Sequence, residues 1–449
     1  MEWTDKGYLE KIKDKERYGI FLDMGVGKTS LLLALIDYKM FAEDVKKVLI
    51  ITPKDVSLST WQNEISKWEN FKYLKKGLRL INGDEEKRIK LYKETREYTI
   101  DIISSSLVTW MYGEKKLIKQ RNVLVRNEHT PEYDLIIVDE CSQFKNVSSQ
   151  RYKALKEISK GKKLFLLSGT QFSNVIKDKH GYTNTDELYY ILYLLNVYKG
   201  SLTQYRNDFE FTLSWEQYKY RMKEEVYKML IEKIHEVSIT EKLSLNIKIN
   251  HKKVYCELDR ERFNTLKREY YIETGGYQKI TVSNQAIMLN KALQLSNGFT
   301  YDETGLAHRI NNHKIDMLKF FIENVKDNVI VFYIYGEDRQ RILKEIPNVK
   351  EYTPENEELW NQGKIKVLLL SPFASKYGLN LQYGGHTIAW FGLIWSAESY
   401  VQANARLYRT GQTQDVDVYY FMSHKSFDDY VFDRLVLKVN EIDDFKNYL

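Results

Sequence analysis

Short apolar, β-branched runs punctuate the chain, several of them closed by Gly, Ser, Thr or Asp. In the first half they are Tyr18–Asp23, Val48–Thr52, Ile100–Ser104, Leu135–Asp139 and Leu164–Ser168. In the second half they are Val329–Ile334, Val367–Ser371, Thr387–Phe391 and Val416–Phe421. Such runs, bounded by turn formers, predict strands. Between them lie helical patterns, as in Ser30–Phe41, Arg151–Ser159 and Ile315–Asn324. Strands alternating with helices predict parallel sheets in α/β layers. The stretch from Asp186 to about Asn297 differs: it is rich in Tyr, Lys and Glu, almost free of Pro, and mostly helical in pattern. The spacing therefore predicts two α/β lobes and a helical insertion, with a break near Leu243–Lys253.

Composition narrows the class. A chain of 449 residues predicts about two or three domains. Apolar residues make up 43%, enough for more than one core. The formal net charge is +6. That excludes an acidic tail protein and is compatible with nucleic acid without demanding it, since 29% charged residues is ordinary. Two cysteines exclude a disulfide scaffold and a Cys-based zinc site. No run of 18 apolar residues appears, and residues 1–19 hold no apolar signal core. The expectation is a soluble protein of a reducing, cytoplasmic compartment, with no membrane partner.

The first candidate chemistry follows the first strand. Asp23-Met-Gly-Val-Gly-Lys-Thr29 leads from a strand into the apolar helix that begins near Ser30. This is the strand–loop–helix setting of a phosphate-binding loop. Gly25, Val26 and Gly27 would turn backbone N–H groups toward phosphates, and the helix start at Ser30 would add its dipole. Lys28 would reach the β and γ phosphates, and Thr29 would ligate Mg²⁺. Leu22 stands where the usual pattern has its first Gly. A plain Gly-rich turn is the bland alternative, disfavoured by the full G-x-G-K-T.

The second is Asp134-Leu-Ile-Ile-Val-Asp139-Glu140, an apolar strand ending in two acids. Asp139 would hold Mg²⁺, directly or through water. Glu140 would orient and deprotonate an attacking water. Acids often end strands, so the pair gains weight only beside the phosphate loop.

In sum, these residues resemble the Swi/Snf-like branch of the superfamily-two helicase-like ATPases, particularly its compact phage and bacterial members. Asp23–Thr29 resembles motif I. Val48–Pro53, continued by Trp61-Gln-Asn-Glu64 and Trp68, resembles motif Ia; Ile102–Ser106 lies where motif Ib belongs. Asp139–Asn146 resembles motif II, with Ser142 where the family often has His. Leu167–Asn174 resembles motif III, with Gln171 for Pro. Val329–Tyr333 resembles motif IV, Leu370–Leu381 motif V and Gln402–Gln412 motif VI.

The resemblance implies two RecA-like lobes, each a mostly parallel sheet flanked by helices, with a helical insertion between the lobes' motifs. It sets lobe one at 1–182, insertion and linker at 183–250, and lobe two at 251–449 with a helical protrusion at about 255–300. It implies ATP and Mg²⁺ as cofactors and hydrolysis between the lobes. Arg409 is then the arginine finger, with Arg406 a γ-phosphate contact or second finger. Gly378 and Gln402 support the nucleotide. Phosphate contacts to nucleic acid fall on Thr52, Ser104, Ser105, Thr170 and Asn174 of lobe one, and on Ser371, Ala374 and Trp395 of lobe two. In the insertion, Trp215, Tyr218, Lys219, Tyr220, Arg221 and Lys223 form either a duplex contact or an ordinary Tyr-rich helix.

The implied function is an ATP-dependent, DNA-stimulated translocase on double-stranded DNA. A strand-separating helicase on DNA or RNA, single strands included, and a binding or remodelling module with weak ATPase stand as alternatives. The expected state is a monomer in the cytoplasm, that of a bacterial host if the chain is phage-encoded, with phage replication or recombination proteins as partners. One departure remains. Relatives usually carry a Gln ahead of the P-loop that reads adenine; here no Gln precedes Gln62. Either adenine is read by other groups, or Met1 is an internal start.

Overall fold

The computed structural model describes residues 7–23, 25–53, 59–118, 121–169, 186–213, 216–241, 245–273, 279–281, 284–373 and 379–446. These fall into two units: residues 1–243 with 440–449, and residues 244–439.

The first unit is built on seven parallel strands: β1 (Arg17–Leu22), β2 (Lys47–Thr52), β3 (Leu78–Leu80), β4 (Thr99–Ser104), β5 (Leu135–Val138), β6 (Lys163–Leu167) and β7 (Ser238–Glu241). Their order across the sheet is β7-β1-β6-β5-β2-β4-β3. Side chains alternate between the two faces, because the strand period is two. Ile20, Ile50, Ile137 and Phe165 join one core with Leu31–Ile36 of the helix Lys28–Ala42. Phe21, Ile51, Ile136 and Leu166 join the other. That helix is apolar nearly all round, as a helix buried between sheet and neighbours must be.

The opposite face is covered by what the sequence reading set apart as an insertion. Leu188, Tyr190, Ile191 and Leu192 of helix Asp186–Leu194 pack there, with Tyr205, Leu230, Ile231 and Ile234. Each such burial is worth roughly 1.5–3 kcal/mol. The chain then adds β7 to the sheet edge beside β1. At the far end of β1, the Arg17 guanidinium donates to the carbonyl of Leu194 at 2.6 Å and to that of Ser159. It thus joins two helix C-termini, where a cation is favoured.

The stretch is less helical than its pattern predicts. Phe211–Leu213 and Glu216–Arg221 form an antiparallel hairpin. Tyr218 and Tyr220 are spaced by two, the strand period, within a composition that otherwise reads as helix. Tyr220 lies under the Arg206 guanidinium at 4.2 Å, and Arg221 is buried. Trp215 lies outside the described residues.

The second unit has six parallel strands: β8 (Ile249–Cys256), β9 (Val329–Phe332), β10 (Val349–Glu351), β11 (Val367–Leu370), β12 (Thr387–Trp390) and β13 (Val416–Ser423). Their order is β8-β13-β12-β9-β11-β10. Val329, Val331, Leu369 and Ala389 share a core with Ile315, Leu318 and Ile322 of helix His313–Asn324 and with Ile342 of helix Gly336–Glu345. On the other face Trp390 packs against Phe332 at 4.8 Å and Tyr400 at 5.4 Å. Both units are therefore α/β layers on mostly parallel sheets, as the resemblance implied. No helix among the described residues is long and apolar enough to cross a membrane.

Candidate nucleotide site

In a parallel α/β sheet, ligands collect beyond the C-terminal strand ends. The first unit's candidate residues lie there. β1 ends at the buried Leu22, and the loop turns at Gly25 (φ +88°) and Gly27 (φ +81°). Both angles lie where a Cβ is strained, which accounts for two glycines in three positions. Gly27 also caps the helix Lys28–Ala42, and as glycine it offers no side-chain acceptor to the first-turn N–H groups. Lys28 reaches back so that its ammonium donates to the Leu22 carbonyl at 2.9 Å. Ser30 Oγ donates to the Gly27 carbonyl at 2.9 Å. Val26 is buried, whereas Gly25 is exposed and Thr29 half-buried. Leu22, the departure from the usual pattern, thus supplies the carbonyl that parks the lysine.

Asp139 and Glu140 leave the end of β5, which is separated from β1 by β6 alone. Asp139 N–H donates to the Ile51 carbonyl at 2.8 Å, holding motif II to β2. Glu140 has φ +57°, a left-handed conformation that a residue with a Cβ adopts at a cost. Burial pushes both carboxyl groups above their ordinary range; the Lys28 charge opposes this in each case. Glu140 is raised further by Asp139 and lowered by hydroxyl donors. Those donors are Ser168 Oγ at 2.8 Å and Ser142 Oγ at 3.3 Å, both on Glu140 Oε1.

The donor set fits a magnesium ion. Asp139 and Thr29 offer hard oxygens, the donors this cation takes beside phosphate. A carboxylate destabilised by burial gains most from a nearby positive charge.

Ser142 and Ser168 were not among the candidate site residues. Ser168 follows β6, whose register pairs Leu166 with Val138 of β5. Two residues further on, the same register brings Ser168 level with Glu140. Sequence shows motif order but not this register. Ser142 carried a usable signal, since it fills the family's His position. Lys145 of motif II pairs with Glu187 at 3.4 Å, joining the motif to helix Asp186–Leu194.

The nucleic-acid candidates divide. Ser104 is half-buried, with Oγ 2.6 Å from Ser106 Oγ. Thr52 is fully buried, its hydroxyl donating to the Pro53 carbonyl at 3.0 Å. Ser105 is buried and turned onto Gln143. Thr170 and Asn174 lie outside the described residues, as do Ala374 and Gly378.

In the second unit, helix Ala397–Asn404 runs into the motif VI turn. Arg406 is buried and Arg409 half-buried; burial pushes the Arg409 guanidinium below its ordinary value. Their Nη1 groups converge on one acceptor, the Leu379 carbonyl, at 3.2 and 2.8 Å. Motif VI is thereby docked on motif V. Gln412 adds two bonds, to the carbonyls of Gln382 at 3.0 Å and Gly385 at 2.9 Å. Gln402 is buried, its amide 3.5 Å from Glu398. Ser371 is half-buried at the end of β11. Trp395 is partly exposed, with Tyr430 at 6.0 Å.

A profile of the SNF2-related domain matches residues 8–314. The chain belongs to the SNF2 family. Among its relatives, putative protein p41 of Acyrthosiphon pisum secondary endosymbiont phage 1 is 25% identical over 95% of this chain and 93% of its own. The uncharacterised ATP-dependent helicase YqhH of Bacillus subtilis is 23% identical over 93% of this chain and 74% of its own. The solved SWI2/SNF2 ATPase core of Sulfolobus solfataricus, in complex with dsDNA, aligns over 99% of this chain at 18% identity, with a TM-score of 0.43. Membership of the SNF2 family carries ATP use with it.

Proposed function

We propose that this SNF2-family chain is a DNA-stimulated ATPase that moves along double-stranded DNA. The observation that carries the reading is the convergence on motif II: Glu140, half-buried beside Asp139, with Lys28 near both and two serine hydroxyls on its carboxylate. Lys28 neutralises charge on the β and γ phosphates, while N–H groups from Gly25 to Ser30 cradle them. Thr29 and Asp139 would hold Mg²⁺, which would supply charge neutralisation on the phosphate oxygens. Glu140 orients water and takes its proton as the water oxygen bonds to the γ-phosphorus and the bond to ADP breaks. Arg409 serves as the finger, with Arg406 beside it. The names of relatives, ATP-dependent helicase among them, support nucleic acid as the track. Ser104, Thr170, Asn174, Ser371 and Trp395 are the proposed phosphate contacts, with Thr52 and Ser105 behind the first of them.

ATPase rates on duplex, single-stranded and forked DNA test this, together with displacement of a third strand from a triplex. Stimulation by duplex with triplex displacement and an intact fork is expected. Fork unwinding would make the chain a strand-separating helicase. Glu140→Gln should lower turnover about 10²- to 10⁴-fold and keep ATP binding; unchanged turnover would remove Glu140 from the chemistry.

A further inference from the structure

We infer that Gln143 is a positioning residue that couples the Ser104–Ser106 turn to the catalytic glutamate; the inference rests on the ATPase reading above. After β4 the chain turns through three serines. Ser104 and Ser106 link their own hydroxyls, and the Leu107 N–H closes the turn on the Ser104 carbonyl at 2.9 Å. Ser105 points the other way. Its N–H donates to the Thr52 carbonyl at 2.7 Å, and its buried hydroxyl donates to Gln143 Oε1.

Gln143 sits in the short 3₁₀ turn Cys141–Phe144, and its N–H donates to the Glu140 carbonyl at 3.2 Å. Cys141 and Phe144 are fully buried, so the turn is anchored on its inner side. Glu140, at its start, is held at φ +57°. A residue in that conformation returns to an ordinary one unless its surroundings hold it. The Ser105 clasp is one such restraint. It is the described side-chain bond that joins the serine turn to the motif II turn. A displacement of the serine turn is therefore passed to the peptide that aims the Glu140 carboxylate, and a change at Glu140 is passed back.

The contact is a single part-buried hydrogen bond, whose net value of about 0.5–1.5 kcal/mol corresponds to roughly two- to tenfold in an equilibrium. That is enough to modulate a rate and too little to hold the lobe together. Gln143 touches no reacting atom in this scheme.

Hydrogen exchange over residues 99–112 tests the coupling without nucleic acid. The full chain carrying Glu140→Gln, which holds ATP unhydrolysed, is compared with and without Mg-ATP. ATP should change exchange at 104–107. Adding Gln143→Leu should abolish that change while ATP affinity stays within about twofold; Gln143→Glu keeps an acceptor for Ser105 and should restore it. On the wild-type background, Gln143→Leu should cut the duplex-stimulated rate about two- to tenfold more than the unstimulated rate. A response at 104–107 that survives Gln143→Leu, or is absent from the parent, overturns the inference. ATP affinity from the same samples and wild-type stimulation by duplex show separately whether the ATPase reading itself fails.

Discussion

At the scale of single residues, Glu140 and Asp338 are both held above their ordinary titration, for different ends. Burial raises Glu140, and the hydroxyls of Ser168 and Ser142 hold it partly down. As the general base proposed above, Glu140 works only as carboxylate, so turnover should fall as pH drops through its titration. Ser168→Ala removes the nearer donor. The acidic limb of the pH–rate profile should then move to higher pH, with turnover at pH 6 falling more than at pH 8. A uniform loss at both would make Ser168 structural instead. Asp338 serves no chemistry in this scheme. It is fully buried, and burial pushes its carboxyl up to about 7, against the pull of its Tyr335 N–H and Asn297 partners and the charges of Lys314 and Arg341. Its unfolded value is about 3.9. Between those values the folded chain binds the extra proton, so stability should decline as pH rises from about 4 to 7. Asp338→Asn keeps the acceptor for Asn297 and Tyr335 without a charge. It should flatten that decline in thermal melts; an equal slope in both proteins would show that Asp338 titrates normally.

At the scale of elements, what sequence revealed follows burial. The nine inner strands of the two sheets were all legible as apolar runs. Within those two sheets, the strands that escaped notice are the four edges: Leu78–Leu80, Ser238–Glu241, Ile249–Cys256 and Val349–Glu351. An inner strand of a parallel sheet is covered on both faces and reads as continuous Val, Ile and Leu. An edge strand is short or mixed, as in Ser-Ile-Thr-Glu, and carries no such signature. The site divided in the same way. The phosphate loop, the two acids and the paired arginines are local in sequence. Ser168 on Glu140 and Ser105 on Gln143 depend on strand register, which local pattern does not encode. The insertion holds a further consequence. Its helix Glu224–Glu236 supplies Leu230, Ile231 and Ile234 to the core that covers one face of the first sheet. Ile231→Ala should therefore cost about 2–5 kcal/mol, read from denaturant-dependent exchange of β1 and β5 amides. A cost below 1 kcal/mol would make the segment an appendage rather than a layer.

At the scale of the whole molecule, charge is the remaining argument. A net +6 over 449 residues is a weak field and would not by itself draw the chain onto nucleic acid. On the translocase reading, affinity comes instead from local contacts with successive phosphates, made by hydroxyls, N–H groups and nearby cations. Such contacts do not read bases, which suits a motor that steps over any sequence. Each neutralised phosphate releases condensed counterions, so the logarithm of affinity falls linearly with the logarithm of salt. The slope is about −0.9 per phosphate on duplex and about −0.7 on single strands. If about five phosphates are neutralised, duplex affinity should fall several-hundredfold, on the order of 10² to 10³, between 50 and 200 mM salt. Fluorescence anisotropy with a labelled duplex measures this directly. Equal affinity for unrelated sequences should accompany the steep slope. A flat salt response would mean that no row of phosphates is held, and would remove the track from the translocase reading even if the ATPase chemistry stands.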